Sequence, residues 1–309
     1  MAGYGCVGHR EAAGRGQKRG RRFDLRQSRA AGQRARTGEA INRRCGYCRV
    51  TNMTASRLPW SRDELLVAFR LYCRTPFGKL HQHNPDIIRL SRVLRRTPSA
   101  VGMKACNFAS LDPTQRARNI AALGNTSRGD RELWQAFREN PEAVAADAEA
   151  AYAKLAGQDA PPLEAELDVP GGPTEVMRTV RTRRVQSFFR AAVLASYENR
   201  CALSDIAVPD LLNASHIIPW KVDTGRRADP RNGIALNALY DRAFDRGLIG
   251  FDEQLRVIVS PRLREGEVPA LQQLALLDIE GQKLRLPCRF LPDAAALAYH
   301  RDNIFGRSA

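Results

Sequence analysis

The chain has 309 residues, and its 49 Lys and Arg residues against 33 Asp and Glu residues give a formal net charge of +16. No stretch approaches the roughly 18 apolar residues that cross a membrane, and no apolar segment follows the basic N-terminal residues, so we expect neither a membrane protein nor a secretory signal. Seven cysteines without regular spacing do not indicate a disulfide framework and favour a reducing cytoplasm. The excess positive charge indicates a polyanionic partner, most often nucleic acid.

The charge is distributed unevenly along the chain. Residues 1–52 hold 13 basic and 3 acidic residues, residues 53–140 hold 15 and 7, residues 141–175 hold 1 and 8, and residues 176–309 hold 20 and 15. We therefore predict a basic disordered tail (1–52), a helical DNA-binding domain (53–140), an acidic and Pro/Gly-rich linker (141–178) and a second folded domain (179–309).

The basic tail is rich in Arg, Gly and Ala and lacks hydrophobic periodicity. Three interpretations stay open: an arm that binds phosphates without sequence preference, a transit peptide, or a non-native extension, since Met53 precedes the point where globular composition begins. The tail also holds a single Cys-x-x-Cys, Cys45 to Cys48. Because no second Cys or His pair follows at zinc spacing, we do not predict a metal site there.

Capping residues predict the first helices. Ser61 and Glu64 form the pattern of a capping box, and an apolar stripe follows at helical spacing. A second helix is predicted from Pro85 to the Arg95-Arg96 pair, and a third begins at Thr97-Pro98. A further helix is predicted around 132–137.

The tight junction between the second and third helices resembles a helix-turn-helix of the Myb type. In such folds the last helix enters the major groove of DNA. We therefore expect Arg95, Arg96 and Lys104 to face DNA. A plain helical bundle with a solvated basic face is the alternative.

The second domain is predicted to mix helix and strand. A helix carries Phe189, Val193 and Tyr197 on one face, a short strand begins at Cys201, and a second strand (211–220) carries His216. A turn at 229–233, a helix over 236–244 and a hairpin over 248–259 follow.

His216 is the candidate catalytic residue. A histidine between apolar neighbours is more often a core residue, but Asn232 follows in a turn, and Asp241 and Asp245 share one face of the next helix because they are four residues apart. These residues suit phosphodiester hydrolysis, in which a histidine activates water and carboxylates hold Mg²⁺ or Mn²⁺. We expect nearby basic residues to bind the phosphates on either side of the cleaved bond: Arg183, Lys221, Arg226, Arg227, Arg231, Arg242 and Arg246.

Two sequence stretches together resemble the HNH endonucleases of bacterial restriction systems. They are Ala214-Ser215-His216-Ile217-Ile218-Pro219-Trp220 and the run from Pro230 to Ile249, which includes Asn232-Gly233 and Tyr240-Asp241-Arg242-Ala243-Phe244-Asp245. The resemblance covers about 180–306. It implies an α+β protein in which a helical N-terminal domain precedes a ββα-metal (HNH) nuclease domain at 179–309.

The resemblance also implies a role for each motif residue. His216 matches the general base, Asn232 the middle residue of the catalytic motif, and Asp241 the last motif residue, a metal ligand. Asp245 matches a further ligand of the single divalent ion in some relatives. The chain departs from many relatives at Ser215 and Tyr240, where those proteins carry further ligands. For Asp245, capping of the turn at Gly247 is an equal alternative, and for His300 we favour packing or a DNA contact.

The expected function is that of a cytoplasmic, metal-dependent DNA endonuclease that acts in restriction or defence against foreign DNA. Because one site per chain cuts one strand at a time, a homodimer or two successive nicks would be needed for a double-strand cut. The alternatives are a catalytically degenerate HNH-fold DNA-binding protein, supported by Ser215 and Tyr240, and a nuclease that acts on RNA or as a toxin.

Overall fold

The computed structural model describes residues 59–118, 126–157 and 173–307, and side chains of the third range from residue 180. The predicted basic tail, its Cys-x-x-Cys and residues 158–172 of the predicted linker lie outside the described residues. Within these ranges, no helix is long and apolar enough to cross a membrane. The predicted α+β class is confirmed.

Ten α-helices are found in the described ranges. They are α1 (Arg62–Arg74), α2 (Pro85–Val93), α3 (Pro98–Leu111), α4 (Pro113–Ala117), α5 (Arg128–Glu139), α6 (Pro141–Ala156), α7 (Pro173–Ser196), α8 (Ala238–Asp245), α9 (Ala270–Gln272, continued by a π-helical turn, Gln273–Leu277) and α10 (Ala294–Asn303).

Four strands form two antiparallel pairs. They are β1 (Leu212–His216), β2 (Gly233–Asn237), β3 (Ile249–Phe251) and β4 (Val257–Val259). β1 pairs with β2, so that His216 lies opposite Gly233, and β3 pairs with β4. β1, β2 and α8 follow in chain order and give the two strands and helix that the resemblance implies.

The predicted caps begin the helices. The Glu64 amide donates to Ser61 Oγ at 3.3 Å, and the Ser61 amide donates to Glu64 Oε2 at 2.7 Å. Thr97 Oγ1 accepts from the Ala100 amide at 3.2 Å, where α3 begins at Pro98. Side-chain caps satisfy amides that the first helical turn leaves without partners, and both depend on residues close in sequence.

The structure pairs Lys104 and Arg96, two of the residues expected to face DNA, with carboxylates of the protein itself. Lys104 Nζ is buried and donates to both carboxylate oxygens of Asp130, at 3.0 and 3.1 Å. Arg96 pairs with Glu64 at 2.8 Å and stacks over Trp60. Lys104 is the only basic residue of α3, so this helix presents no charge to a phosphate. Of the three predicted residues, only Arg95 is exposed.

The predicted linker begins with a helix. α6 starts at Pro141 behind the Asn140 cap, and its Val144, Ala145 and Ala148 are buried against the helical core. Alanine has the highest helix propensity and its small side chain permits close packing. The acidic, Ala-rich start of the predicted linker is therefore a packed helix, and its charge does not indicate an unstructured segment.

α7 joins two hydrophobic cores. Phe188 packs into the core of α1, α3, α5 and α6, whereas Phe189 packs into the core around β1, β2 and α8. The predicted boundary at residue 179 falls inside this helix. Arg289 adds a second connection, because its buried guanidinium donates to the carbonyls of Cys73 and Thr75 at 3.0 and 2.7 Å. The described residues between 59 and 307 accordingly form one compact unit.

The strand predicted at Cys201 is instead a turn. The Ala202 amide donates to Ala235 O at 2.7 Å, but no ladder continues. The Cys201 thiol is buried and accepts from the Asn237 amide at 3.3 Å. The hairpin predicted over 248–259 is present as β3 and β4.

Gly233 permits the close approach of β2 to α7. A Cβ atom at this position would overlap the side chains of Val193 and Phe189. Because Phe189 contacts His216, this glycine determines how closely the helix approaches the candidate site.

Candidate active site

His216 is the last residue of β1 and is held on two sides. Its imidazole stacks on the Phe189 ring with centroids 3.7 Å apart, and Trp220 meets it edge-on at 5.5 Å. Nε2 lies 3.1 Å from the carbonyl oxygen of Arg227. Since a carbonyl only accepts, Nε2 carries the proton, and Nδ1 is the nitrogen that can take up another.

Burial lowers the pKa of His216 below its ordinary value. The hydrogen bond to Arg227 O and the negative charge of Asp241 act in the opposite direction but do not cancel the loss of hydration. A lowered pKa keeps the imidazole neutral at neutral pH, which is the state a general base requires.

Asn232 is buried and holds the loop between β1 and β2. Its Oδ1 accepts from the Ile218 amide at 2.8 Å, and its Nδ2 donates to Ile218 O at 3.1 Å. Asn232 does not belong to the described lining of the cavity that contains His216. Its contacts show that it positions the segment that follows His216, and its part in catalysis stays a prediction.

Asp241 lies on α8 and receives two side-chain hydrogen bonds from β1. Asn213 Nδ2 donates to Oδ2 at 2.7 Å, and the Ser215 hydroxyl donates to Oδ1. Sequence reasoning treated Ser215 only as a missing ligand and did not single out Asn213. The period of two along a strand was the available signal, because residues 213 and 215 share one face of β1.

Asp245 lines the same cavity as Asp241. Burial, and then the charge of Asp241, raise the pKa of Asp245 to about 6, although Arg242 and Arg246 oppose the shift. The turn after α8 is closed by backbone hydrogen bonds, with Gly247 at φ 64°. None of the described residues donates a hydrogen bond to the Asp245 carboxylate, so the turn-capping alternative has no contact to support it.

The cavity has a volume of about 1200 Å³ and a basic rim. Arg183, Arg242 and Arg246 line it, as do two arginines that sequence reasoning did not assign to it, Arg190 and Arg307. Arg190 lies two helical turns after Arg183 on α7, so helical spacing was the signal that could have found it.

Four other predicted DNA-binding residues lie outside the described lining of this cavity. Arg226 pairs with Asp293 at 3.0 Å, Arg231 pairs with Asp229 at 2.7 Å, and Arg227 Nε donates to Trp220 O at 2.9 Å. Lys221 is exposed. The three arginines therefore stabilise the loop around His216.

His300 on α10 repeats the arrangement of His216. Its ring stacks on Phe244 with centroids 3.7 Å apart, and Nε2 lies 3.0 Å from Phe244 O. Burial lowers the pKa of His300 to about 4. Its Nδ1 is buried and has no hydrogen-bond partner among the described residues. These contacts are those of a packing residue, one of the two roles expected from the sequence; His300 also lines the cavity of His216, so a DNA contact stays a prediction.

The residues of the cavity suit a hard divalent cation. Asp241 and Asp245 offer carboxylate oxygens, which Mg²⁺ and Mn²⁺ prefer. The described residues contain no group of three His, Cys, Asp or Glu placed to hold a metal ion. Mg²⁺ is commonly bound by one or two carboxylates together with substrate phosphates. Burial first, and then the charge of Asp241, raise the pKa of Asp245, and a bound cation would favour the ionised carboxylate against both effects.

The comparisons agree with this geometry. A family model described as HNH endonuclease matches residues 201–252, which include β1, the loop held by Asn232, β2, α8 and β3. A comparison with curated proteins found no significant match. The chain therefore contains an HNH endonuclease domain, which the family match places at residues 201–252.

Proposed function

We propose that this chain is a metal-dependent DNA endonuclease whose site is the cavity of His216, Asp241 and Asp245. One observation carries the proposal: a neutral histidine with an available Nδ1 and two carboxylates line one cavity with an arginine rim. This combination supplies a base, oxygen ligands and phosphate-binding groups at one place.

The residues divide the chemistry among them. His216 Nδ1 takes the proton from the water that attacks phosphorus, and the Nε2 bond to Arg227 O keeps the imidazole in the required tautomer. Asp241 and Asp245 would hold Mg²⁺ or Mn²⁺, which supplies positive charge for the transition state and the leaving oxygen. Arg183, Arg242 and Arg246 bind phosphates beside the scissile bond.

Purified protein tests this proposal by cleavage of supercoiled plasmid in a Mg²⁺ and Mn²⁺ series. We expect nicking or cleavage with either ion and its loss in His216→Ala, with unchanged circular dichroism. His83→Ala is the matched control, because His83 is exposed and outside the cavity. Equal cleavage by wild type and His216→Ala would contradict the assignment of the base.

A role in restriction or defence extends the proposal and is supported by the likeness to restriction-type HNH enzymes. Modified and unmodified plasmids of the same sequence test it. Discrimination between the two plasmids is the expected result, and equal cleavage of both counts against this role.

A degenerate, non-cleaving DNA-binding protein is the second candidate. One observation favours it: both carboxylate oxygens of Asp241 already accept hydrogen bonds, from Asn213 and Ser215. Salt-sensitive DNA binding without cleavage at any metal concentration would establish this alternative.

A further inference from the structure

A second cavity lies between the helical region and α7. It has a volume of about 740 Å³, within the range of roughly 300–1,000 Å³ typical of sites for small organic ligands. Val67, Leu71 and Leu194 form part of an apolar wall, and five arginines contribute to the lining: Arg70, Arg74, Arg89, Arg184 and Arg190. Nothing in the cleavage chemistry described above uses this cavity.

The lining carries more positive than negative charge. Three acidic residues, Asp86, Glu149 and Asp210, face the five arginines. Buried Glu149 lies 2.9 Å from Arg70 Nε and 3.2 Å from Arg74 Nη1, so one carboxylate orients two guanidinium groups. Glu149 therefore fixes the positions of both arginines. Its single negative charge neutralises only one of their two positive charges.

Arg184 differs from the other arginines of this cavity. It is half-buried on α7 and forms no hydrogen bond or ion pair with any described residue. Its guanidinium lines the cavity without a carboxylate partner among the described residues, and guanidinium groups bind phosphates through charge-assisted hydrogen bonds. An anion in the cavity would supply the missing partner.

The second cavity adjoins the candidate active site. Ser187, Arg190 and Asp210 line both cavities. On α7, Arg183 and Phe189 face the active site, whereas Arg184 and Leu194 face the second cavity. α7 therefore separates the active-site cavity from the second cavity. A DNA backbone that passes over α7 at Ser187 would reach both cavities.

We infer that the second cavity binds one nucleotide of the DNA strand whose neighbouring phosphate lies in the active site. The phosphate is held by Arg184 with Arg74 and Arg70, and the sugar and base lie against the apolar wall. The inference rests on the proposed function, because it assigns the cavity to the strand that the His216 site cuts. The helical region then contributes to DNA binding through this cavity and not through α3.

Equilibrium binding of a labelled double-stranded oligonucleotide across a salt series tests the inference. All proteins carry His216→Ala, so that the DNA stays intact. We expect Arg184→Ala to weaken binding about fivefold to tenfold and to reduce the slope of log affinity against log salt by about one. Arg138→Ala is the matched control, because Arg138 is exposed on α5 and lines neither cavity.

The inference is overturned if Arg184→Ala and Arg138→Ala have the same DNA affinity and the same slope of log affinity against log salt. Titration with a deoxynucleoside monophosphate separates the two sources of the ligand. Binding of the monophosphate that requires Arg184, with DNA affinity unchanged by the substitution, assigns the cavity to a free nucleotide and also overturns it. Plasmid cleavage is measured separately with His216 intact, so failure of cleavage and failure of Arg184-dependent binding are distinct results.

Discussion

The imidazole of His216 stacks on the ring of Phe189, with centroids 3.7 Å apart and planes inclined by 11°. Phe189 lies on α7, outside the residues that match the HNH family model. The adjacent Phe188 packs into the other core, with α1 and α5. The orientation of the candidate base therefore depends on a helix that the helical region also holds in place.

Phe189→Leu should lower the cleavage rate at least about tenfold, because small displacements of a reacting group cost large factors in rate. The smaller side chain also admits water to His216, which raises the pKa of this base toward its ordinary value. The acid limb of the pH–rate profile should then move to higher pH, since the base acts only when neutral. Phe188→Leu is the control, and it should lose stability but keep the wild-type profile. An unchanged profile in Phe189→Leu would argue against this dependence.

Asn232→Ala should destabilise the protein and reduce cleavage together. The substitution leaves the Ile218 amide and carbonyl without the partners that they have at 2.8 and 3.1 Å. Each buried polar group left unpaired costs about 1–3 kcal/mol. Urea unfolding and the cleavage assay measure the two effects. A variant with wild-type stability and low activity would instead show that Asn232 acts directly in catalysis.

Ser215→Ala should raise the metal concentration needed for half-maximal cleavage by roughly 10- to 100-fold, the effect typical of losing a group that orients a metal ligand. The Ser215 hydroxyl donates to Asp241 Oδ1 and so orients the carboxylate. Ser196→Ala is the control, because its buried hydroxyl donates only to the helix carbonyl of Ala192, at 2.6 Å. If Ser215→Ala instead lowers the metal concentration needed for half-maximal cleavage, the Ser215 hydroxyl competes with the metal ion for Asp241 and does not orient this carboxylate for metal binding.

His300 should make stability depend on pH between about 4 and 6.5. Burial lowers the pKa of His300 to about 4 in the folded protein, whereas the unfolded chain titrates near its ordinary value of 6.5. The unfolded state binds more protons in this window, so stability is fully present above 6.5 and falls as the pH falls toward 4. The limiting slope is about 1.4 kcal/mol per pH unit.

Urea unfolding of wild type and His300→Gln from pH 7 to 4.5 measures this contribution. Glutamine keeps a side-chain donor for Phe244 O but does not titrate, so the variant should lose stability less steeply as the pH falls. Parallel curves for the two proteins would contradict the assignment. Carboxylates also make stability depend on pH, but they are the same in wild type and His300→Gln, so the difference between the two curves reports His300 alone.

Local sequence signals predicted the elements that depend on near neighbours. The capping box of Ser61 and Glu64, the Thr97 cap and the hairpin over 248–259 are present because their hydrogen bonds join residues a few positions apart. The strand at Cys201 is absent, and the predicted linker begins with the helix α6, for the converse reason. Whether a short apolar run pairs as a strand, or an Ala-rich acidic run packs as a helix, depends on partners distant in sequence.

The sequence by itself determined which reactive groups are at hand: the residue types and spacing of His216, Asp241 and Asp245 predicted a histidine base with carboxylates. All three lie within residues 201–252, which match the HNH endonuclease family model. Only the tertiary structure decided which other residues serve this cavity. It buried Lys104 against Asp130, set Asn232 on the Ile218 backbone, and aligned Phe189 with His216. Charge and spacing can be recognised along the sequence. Burial and pairing depend on elements that come together only on folding, because buried charges and polar groups need partners close in space and not in sequence.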